Sequence, residues 1–429
     1  MRTRDIKKAA SAIALSVGLT STTSAFATDG YFQHGFGARN KAMAGAGIAD
    51  GRDATILAIN PAGLVGLDSN LTASLSFFVP DRGFVGSGPG GFVPAGDNRG
   101  NDTELFGIPN ITYSTPIGPN TAFGISLHGN GGLNTDFEEA ANPACTMMMS
   151  PSQGVFCGGS TGVNLNQAFI AVGVAHDFGG FSLGVSPIFA IQQFEGKGLG
   201  AFAGVSSDPA NLTNNETDTS VGGGVRIGIQ SELSPRLRVA ASYQTKIWMS
   251  RFEDYAGLFA DGGDFDIPQN IQAGVAFDLT PQLTLAFDYR WINYQGVNAV
   301  GNATTVMLPF GSPDGPGFGW DDVHAFKLGG EYRTAGGAAF RAGYARNTNP
   351  IGPEDVTLNI LAPGTIQDHI TAGFELPFGP RNSLEASFLY APESTVSGIE
   401  VTPFGPNPNR TIEIGLSELE FTVGWKFKF

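Results

Sequence analysis

The sequence predicts an all-β fold, a fourteen-stranded antiparallel transmembrane β-barrel, on three observations. The first 27 residues read as an export signal. No later stretch approaches the ~18 consecutive apolar residues that a membrane helix needs. The rest of the chain breaks into long alternating segments joined by gaps that are by turns tight and long.

In residues 1–27, Arg2, Arg4, Lys7 and Lys8 form a positive head, and residues 9–19 are a short apolar stretch. Ala25-Phe26-Ala27 then offers the small residues of a cleavage site. The apolar stretch is too short to cross a bilayer, so the segment is expected to be removed on export.

Period-two alternation marks strands near 70–79, 103–115, 120–129, 164–178, 180–193, 219–233, 236–252, 267–280, 282–295, 321–334, 337–349, 366–377, 381–394 and 412–429. Most reach the ~9–11 residues of a tilted membrane-crossing strand. Tight connections fall at Pro116 to Pro119, Gly179-Gly180, Ser234-Pro235, Pro281, Ala335-Gly336 and Gly379-Pro380. Long ones near 80–102, 130–163, 194–218, 253–266, 295–320, 350–365 and 395–411 lie between them. Short turns on one rim and long loops on the other are the wiring of bacterial outer-membrane barrels, and an even strand count returns both termini to the periplasmic side.

The faces agree. Leu283, Leu285, Phe287, Tyr289 and Trp291 alternate with Thr284, Ala286, Asp288 and Arg290, which assigns one set to lipid and the other to the lumen. The last strand repeats the pattern and ends at Phe429, an aromatic terminus suited to recognition by barrel-assembly machinery. Partners on this reading are outer-membrane lipid and that machinery. With 61 Gly, 33 Phe and 15% charged residues, the chain suits a wall half of which faces hydrocarbon, and the Phe excess is assigned to that face. A net charge of −15 argues against a nucleic-acid partner.

Residues 28–69 fit no strand and are rich in Gly and Ala. Phe32-Gln33, Gly35-Phe36-Gly37-Ala38-Arg39, Ala46-Gly47-Ile48-Ala49-Asp50 and Asn60-Pro61-Ala62 stand there in order. In these motifs the chain resembles the FadL/TodX-type outer-membrane transporters of long-chain fatty acids and hydrocarbons. The resemblance implies a Gram-negative outer-membrane barrel (70–429) whose N-terminal segment (28–69) folds into the lumen as a hatch, or plug. It implies passive uptake from an external groove to a luminal pocket, followed by hatch movement and lateral exit through the wall. Leaving sideways spares an apolar cargo the water crossing, worth ~0.8 kcal/mol per CH₂.

Tyr31 and Phe32 match the aromatic that enters the family's pocket, and Asn60, Pro61 and Ala62 match its hatch motif, read as a turn anchoring the hatch to the wall. Pro109, Gly124 and Gly129 interrupt the second and third strands, where the family's wall opens, and are the portal candidates. By parity Arg226, Arg238, Lys246, Arg290, Lys327, Arg333 and Arg341 face the lumen. Arg290 and Lys327, near mid-barrel on adjacent strands, are the best pair for a carboxylate. Complete neutralisation of these cations by lumenal acids would instead favour an uncharged cargo.

Loop 130–163 carries Met147 to Met149, Val155 and Phe156, a soft apolar cluster suited to capture or to packing on itself. Cys145 and Cys157 in the same loop are expected to pair, for roughly 3 kcal/mol. Five scattered His form no metal spacing, and Gly222-Gly223-Gly224 precedes no helix, so neither an enzyme, a metal nor a cofactor is indicated. The alternatives are a general diffusion porin, which has no use for a hatch, and a structural surface barrel, which does not explain the N-terminal motifs.

Overall fold

The computed structural model describes residues 28–150, 152–403 and 405–429; the expected export signal, 1–27, lies outside them. Fourteen strands form one wall: β1 (Asn70–Ser87), β2 (Phe106–Gly118), β3 (Thr121–Phe137), β4 (Gly158–Asp177), β5 (Ser182–Gly198), β6 (Asp218–Ser234) and β7 (Leu237–Gln244). They continue as β8 (Asn270–Asp278), β9 (Leu283–Ile292), β10 (Val323–Arg333), β11 (Ala339–Asn347), β12 (Asp368–Phe378), β13 (Asn382–Thr402) and β14 (Gly405–Lys428). Successive strands pair antiparallel, and β14 closes on β1 from Lys428 opposite Asn70 to Thr411 opposite Ser87. Closure leaves no sheet edge to hydrocarbon, where an unpaired backbone group is costly.

The strand phases follow the sequence. In β9, Leu285 and Phe287 are exposed, while Thr284, Ala286, Asp288 and Arg290 are buried. Phe does not keep to the outside, however. Phe77, Phe287 and Phe421 face outward, but Phe32, Phe84, Phe156, Phe194, Phe259 and Phe265 belong to a large inner core with Tyr31, Tyr294 and Trp320. Long loops fold over the lumen, and their apolar residues need an interior of their own.

Boundaries shift where side chains replace or extend the ladder. The strand expected over 236–252 stops at Gln244, because the Thr245 hydroxyl takes the Val225 amide (3.1 Å) and only Trp248–Met249 returns to β6. The stretch 395–411, expected as a loop, is mostly a hairpin of β13 and β14. Its inward Glu400 accepts the amides of Phe92 and Val93, both at 2.8 Å, and Arg410 donates to the carbonyls of Gly88, Val93 and Pro94. Cys145 and Cys157 form a disulfide, with Cα atoms 5.2 Å apart.

Candidate ligand pocket and wall opening

Residues 29–64 are buried within the barrel, apart from Gly51 and Arg52. Thr28–Asp29 and Phe32–Gln33 make a minimal hairpin about Gly30, followed by helix α1 (Gly37–Ala42) and two 3-10 turns, Ala54–Ala58 and Pro61–Leu64. Asn60 caps the last turn, accepting from the Ala62 amide (3.1 Å), with Pro61 at the first helical position where a missing N–H costs nothing.

The wall makes room for this segment with glycines paired across strands. Gly184 of β5 faces Gly228 of β6, and a Cβ on either would strike the turn: Ala62 N at 2.4 Å from the first, Asn60 Oδ1 at 1.9 Å from the second. Gly124 and Gly173, paired between β3 and β4, receive Leu57 and Leu64. Gly329 and Gly343, paired between β10 and β11, receive Met43.

From α1 onward the segment is also locked by charge. Arg39 joins Asp50 (2.6 Å) and Glu331 (3.1 Å), and Lys41 joins Glu420 (2.7 Å). Arg341 binds Glu331 (2.7 Å), Glu375 and Glu385, while Lys426 binds Glu375 (2.6 Å). Arg238 bridges Asp50 (3.0 Å) and Asp278 (2.6 Å).

The tip of the segment, 28–36, is held differently. The Tyr294 hydroxyl accepts the amides of Tyr31 (3.0 Å) and Phe32 (3.3 Å) and donates to the Asp29 carbonyl (2.7 Å). Tyr31 sits in an aromatic cage, with ring centres 5.0 Å from Tyr294, 5.9 Å from Trp320 and 6.2 Å from Phe265. The Phe32 ring lies 5.2 Å from the Arg290 guanidinium, a cation–π arrangement. The Asp29 carboxylate meets Lys327 (2.6 Å) and Arg290 (3.1 Å). Burial pushes its pKa up, but Lys327 and Arg290 outweigh that and hold it at about 2.

Beside this tip the wall is split. The β1–β2 ladder runs through Leu75 opposite Pro109 to Phe78 opposite Phe106, whereas the β2–β3 ladder ends at Asn110 opposite His128. Beyond it, β3 bulges between Gly129 and Gly131. The tip fills the vacated edge nearest the bulge, where Gly132 N donates to Tyr31 O (3.0 Å) and Gln33 Nε2 to Gly129 O (2.6 Å), while residues 100–102 pair with Asp136 further along β3. A Cβ at Gly131 would lie 2.2 Å from Tyr31 O. Phe78, Phe106, Ile108, Leu389 and Leu416 form a separate apolar cluster at this place, next to a cavity of about 30 Å³ that Gly30 also lines.

On the outer side, a cavity of about 400 Å³ opens between loops and is lined by Phe202, Val205, Met307, Leu308, Phe310 and Val401 among others. Met307 is 92% exposed. Phe310, Pro316 and Leu358 line both this groove and a smaller cavity of about 20 Å³ beneath it, which also touches Phe259. Phe259 packs on Phe265 (4.8 Å), and Phe265 on Tyr31 (6.2 Å).

The sequence profile of the family described as outer membrane protein transport protein (OMPP1/FadL/TodX) matches residues 15–402. The chain belongs to this family. It is 23% identical to the long-chain fatty acid transport protein of Escherichia coli (strain K12), over 89% of this chain and 91% of the relative. Its fold is similar to the Pseudomonas aeruginosa FadL homologue (TM-score 0.68, 16% identity, 93% of this chain and 100% of the other). It is also similar to the P. putida toluene transporter TodX (TM-score 0.66, 15% identity, 92% and 99%). As a FadL/TodX-family chain it is an outer-membrane transport barrel and not an enzyme.

Within this FadL/TodX-family barrel, the residues singled out from sequence meet unevenly. Tyr31, Phe32, Arg290 and Lys327 come together, but the two cations carry the plug's own carboxylate. Gly129 and Pro109 flank the split, whereas Gly124 is laddered on both sides, to Ser114 and Gly173, and serves as a notch for the plug. Val155 and Phe156 are buried, Phe156 packing on Phe92 and Phe202, while Met147 and Met149 are exposed outside the groove. The lumenal cations are not all neutralised: among the described residues Arg226 makes no ion pair and donates to the Ala58 carbonyl and the Gln244 side chain. Asp29, Gly131, Tyr294 and the Met307 groove escaped the sequence reading. Asp29 alone carried a signal, as an acid in the plug of a lumen rich in cations.

Proposed function

We propose that this barrel takes up hydrophobic molecules passively, long-chain fatty acids or aromatic and aliphatic hydrocarbons. Cargo is captured in the Met307 groove and passes Phe310 and Leu358 to the cage around Tyr31 and Phe32. Displacement of the plug tip then frees the split between β2 and β3, and the cargo leaves sideways into lipid past Phe78, Phe106 and Ile108. Outer-membrane lipid is thus a partner of the exit, and Phe429 is the assembly machinery's handle.

One observation carries the reading: the groove and the cage are joined by apolar side chains of one core, and the tip that fills the cage also pairs with β3 at the wall split, beside the separate apolar cluster of Phe78, Phe106 and Ile108. The names of the relatives, a fatty acid transporter and a toluene transporter, support the cargo class. Apolar cargo gains roughly 25 cal/mol per Å² on leaving water, which drives entry without ATP.

Uptake of labelled oleate and labelled toluene, by cells with and without the protein, tests this. Both rates are expected to depend on the protein, and Phe310→Glu is expected to raise the half-saturating concentration about tenfold by burying a charge where the groove meets the smaller cavity. Rapid swelling of proteoliposomes in small sugars would mean an open pore and favour a diffusion porin.

A further inference from the structure

We propose that Asp29 is an internal ligand: the plug's own carboxylate occupies a wall site suited to the carboxylate of an amphipathic substrate, which enters by displacing it. This rests on the uptake reading above and narrows its substrate class to hydrophobic monocarboxylates.

Three adjacent strands each contribute a donor to one carboxylate. Lys327 Nζ (2.6 Å) and Arg290 Nη1 (3.1 Å) meet Oδ2, and Asn347 Nδ2 (3.3 Å) meets Oδ1. All four side chains are buried. The two cations share a single plug carboxylate. Asp288 stands opposite Lys327 in the β9–β10 register, but it is engaged by the Gly47 and Ile48 amides and by Gln272. Arg226, on β6, adds a third buried cation with no ion pair among the described residues. The wall here therefore holds more positive than negative charge, and part of the balance is supplied by a segment that is not part of the wall.

The tip also imitates the rest of such a substrate. Three residues beyond the carboxylate, the Phe32 ring lies over Arg290, and both it and Tyr31 pack against Tyr294. A carboxylate tethered to an apolar ring is the outline of a fatty or aromatic acid. Buried cations stripped of their partner cost several kcal/mol each. A neutral hydrocarbon that pushed the tip aside would take from Arg290 and Lys327 both the Asp29 carboxylate and the carbonyls of Gln33 and His34 with nothing in return, whereas a carboxylate restores the negative charge that Asp29 supplied. Tip and acid are then mutually exclusive occupants, and the acid's apparent affinity is reduced by the fraction of time the tip is docked.

Dodecanoate and dodecane share a chain and differ in the head group, so the pair isolates this effect. Binding of each is measured on the full-length protein in lipid nanodiscs, for the wild type and for Asp29→Asn. The variant is expected to favour dodecanoate over dodecane about tenfold more than the wild type does. Equal gains for both ligands would make Asp29 a mere fastener, and weaker dodecanoate binding would make it a helper; either overturns the proposal. The unmodified protein gives an independent reading: saturating dodecanoate, and not dodecane, is expected to speed hydrogen exchange at the Tyr31 and Phe32 amides, and equal rates would overturn the proposal. Failure of the wild type to bind either molecule would sink the uptake reading itself, whereas binding with an unchanged preference sinks only the internal ligand.

Discussion

The luminal segment is buried over 29–36 and, Gly51 and Arg52 apart, over 37–64, yet its two halves are fastened by opposite means. Residues 37–66 are wedged into paired wall glycines and tied by buried ion pairs that reach β7, β10 and β14. Residues 28–36 rest on one tyrosine hydroxyl, one shared carboxylate, the donation of Arg290 and Lys327 to the Gln33 and His34 carbonyls, and a few hydrogen bonds to the frayed edge of β3. Burial alone therefore does not tell which part of a plug can move. A segment seated in notches must deform the wall to leave, while a tip held by exchangeable polar contacts needs only a competitor for them.

Substitutions can break this contrast, and the largest effect is expected at the ion pairs around residues 37–66. Arg341→Gln takes from Glu331, Glu375 and Glu385 the one cation that all three share, leaving Arg39 and Arg333 on the first and Lys426 on the other two. Removing one partner of a buried ionic network typically costs about 3–5 kcal/mol. The urea midpoint of the protein folded in vesicles should fall accordingly; an unchanged midpoint would mean that the network does not anchor the plug. Gly184→Val should come next, since its Cβ would stand 2.4 Å from Ala62 N and from Pro61 C. Overpacking of this kind costs about 1–3 kcal/mol, and an ejected turn should appear as faster proteoliposome swelling in sugars. Tyr294→Phe should be the mildest globally. Loss of the hydroxyl leaves the Tyr31 and Phe32 amides short of an acceptor, about 1–3 kcal/mol confined to the tip. Hydrogen exchange over 28–36 should quicken while the urea midpoint stays put; a lowered midpoint would show that the two halves are not independent.

How much of this was legible in the chain follows the range of each interaction. Strand number and facing were readable because alternation is local: Phe287 and Asp288 declare opposite sides whatever else the barrel does. The extension of β13 and β14 over 395–411 was not, because it depends on Glu400 and Arg410 reaching the loop over 88–94. Gly124 looked like a weakness in a strand, and only its neighbours Leu57 and Leu64 reveal it as a socket. Lys41 and Glu420, or Asp29 and Lys327, lie hundreds of residues apart, so no spacing rule could have paired them.

By itself the sequence determined the export signal's pattern and the fourteen alternating strands, and its ordered N-terminal motifs carried the expectation of a luminal segment. These depend on backbone period and on residue types within a few positions of one another. The tertiary structure alone decided that the wall is split between β2 and β3, that glycines seat one half of the plug, and that Asp29 occupies the Arg290–Lys327 site. Those features arise from register around a closed barrel, where a shift of one rung changes every partner across the lumen while leaving each strand's own pattern intact.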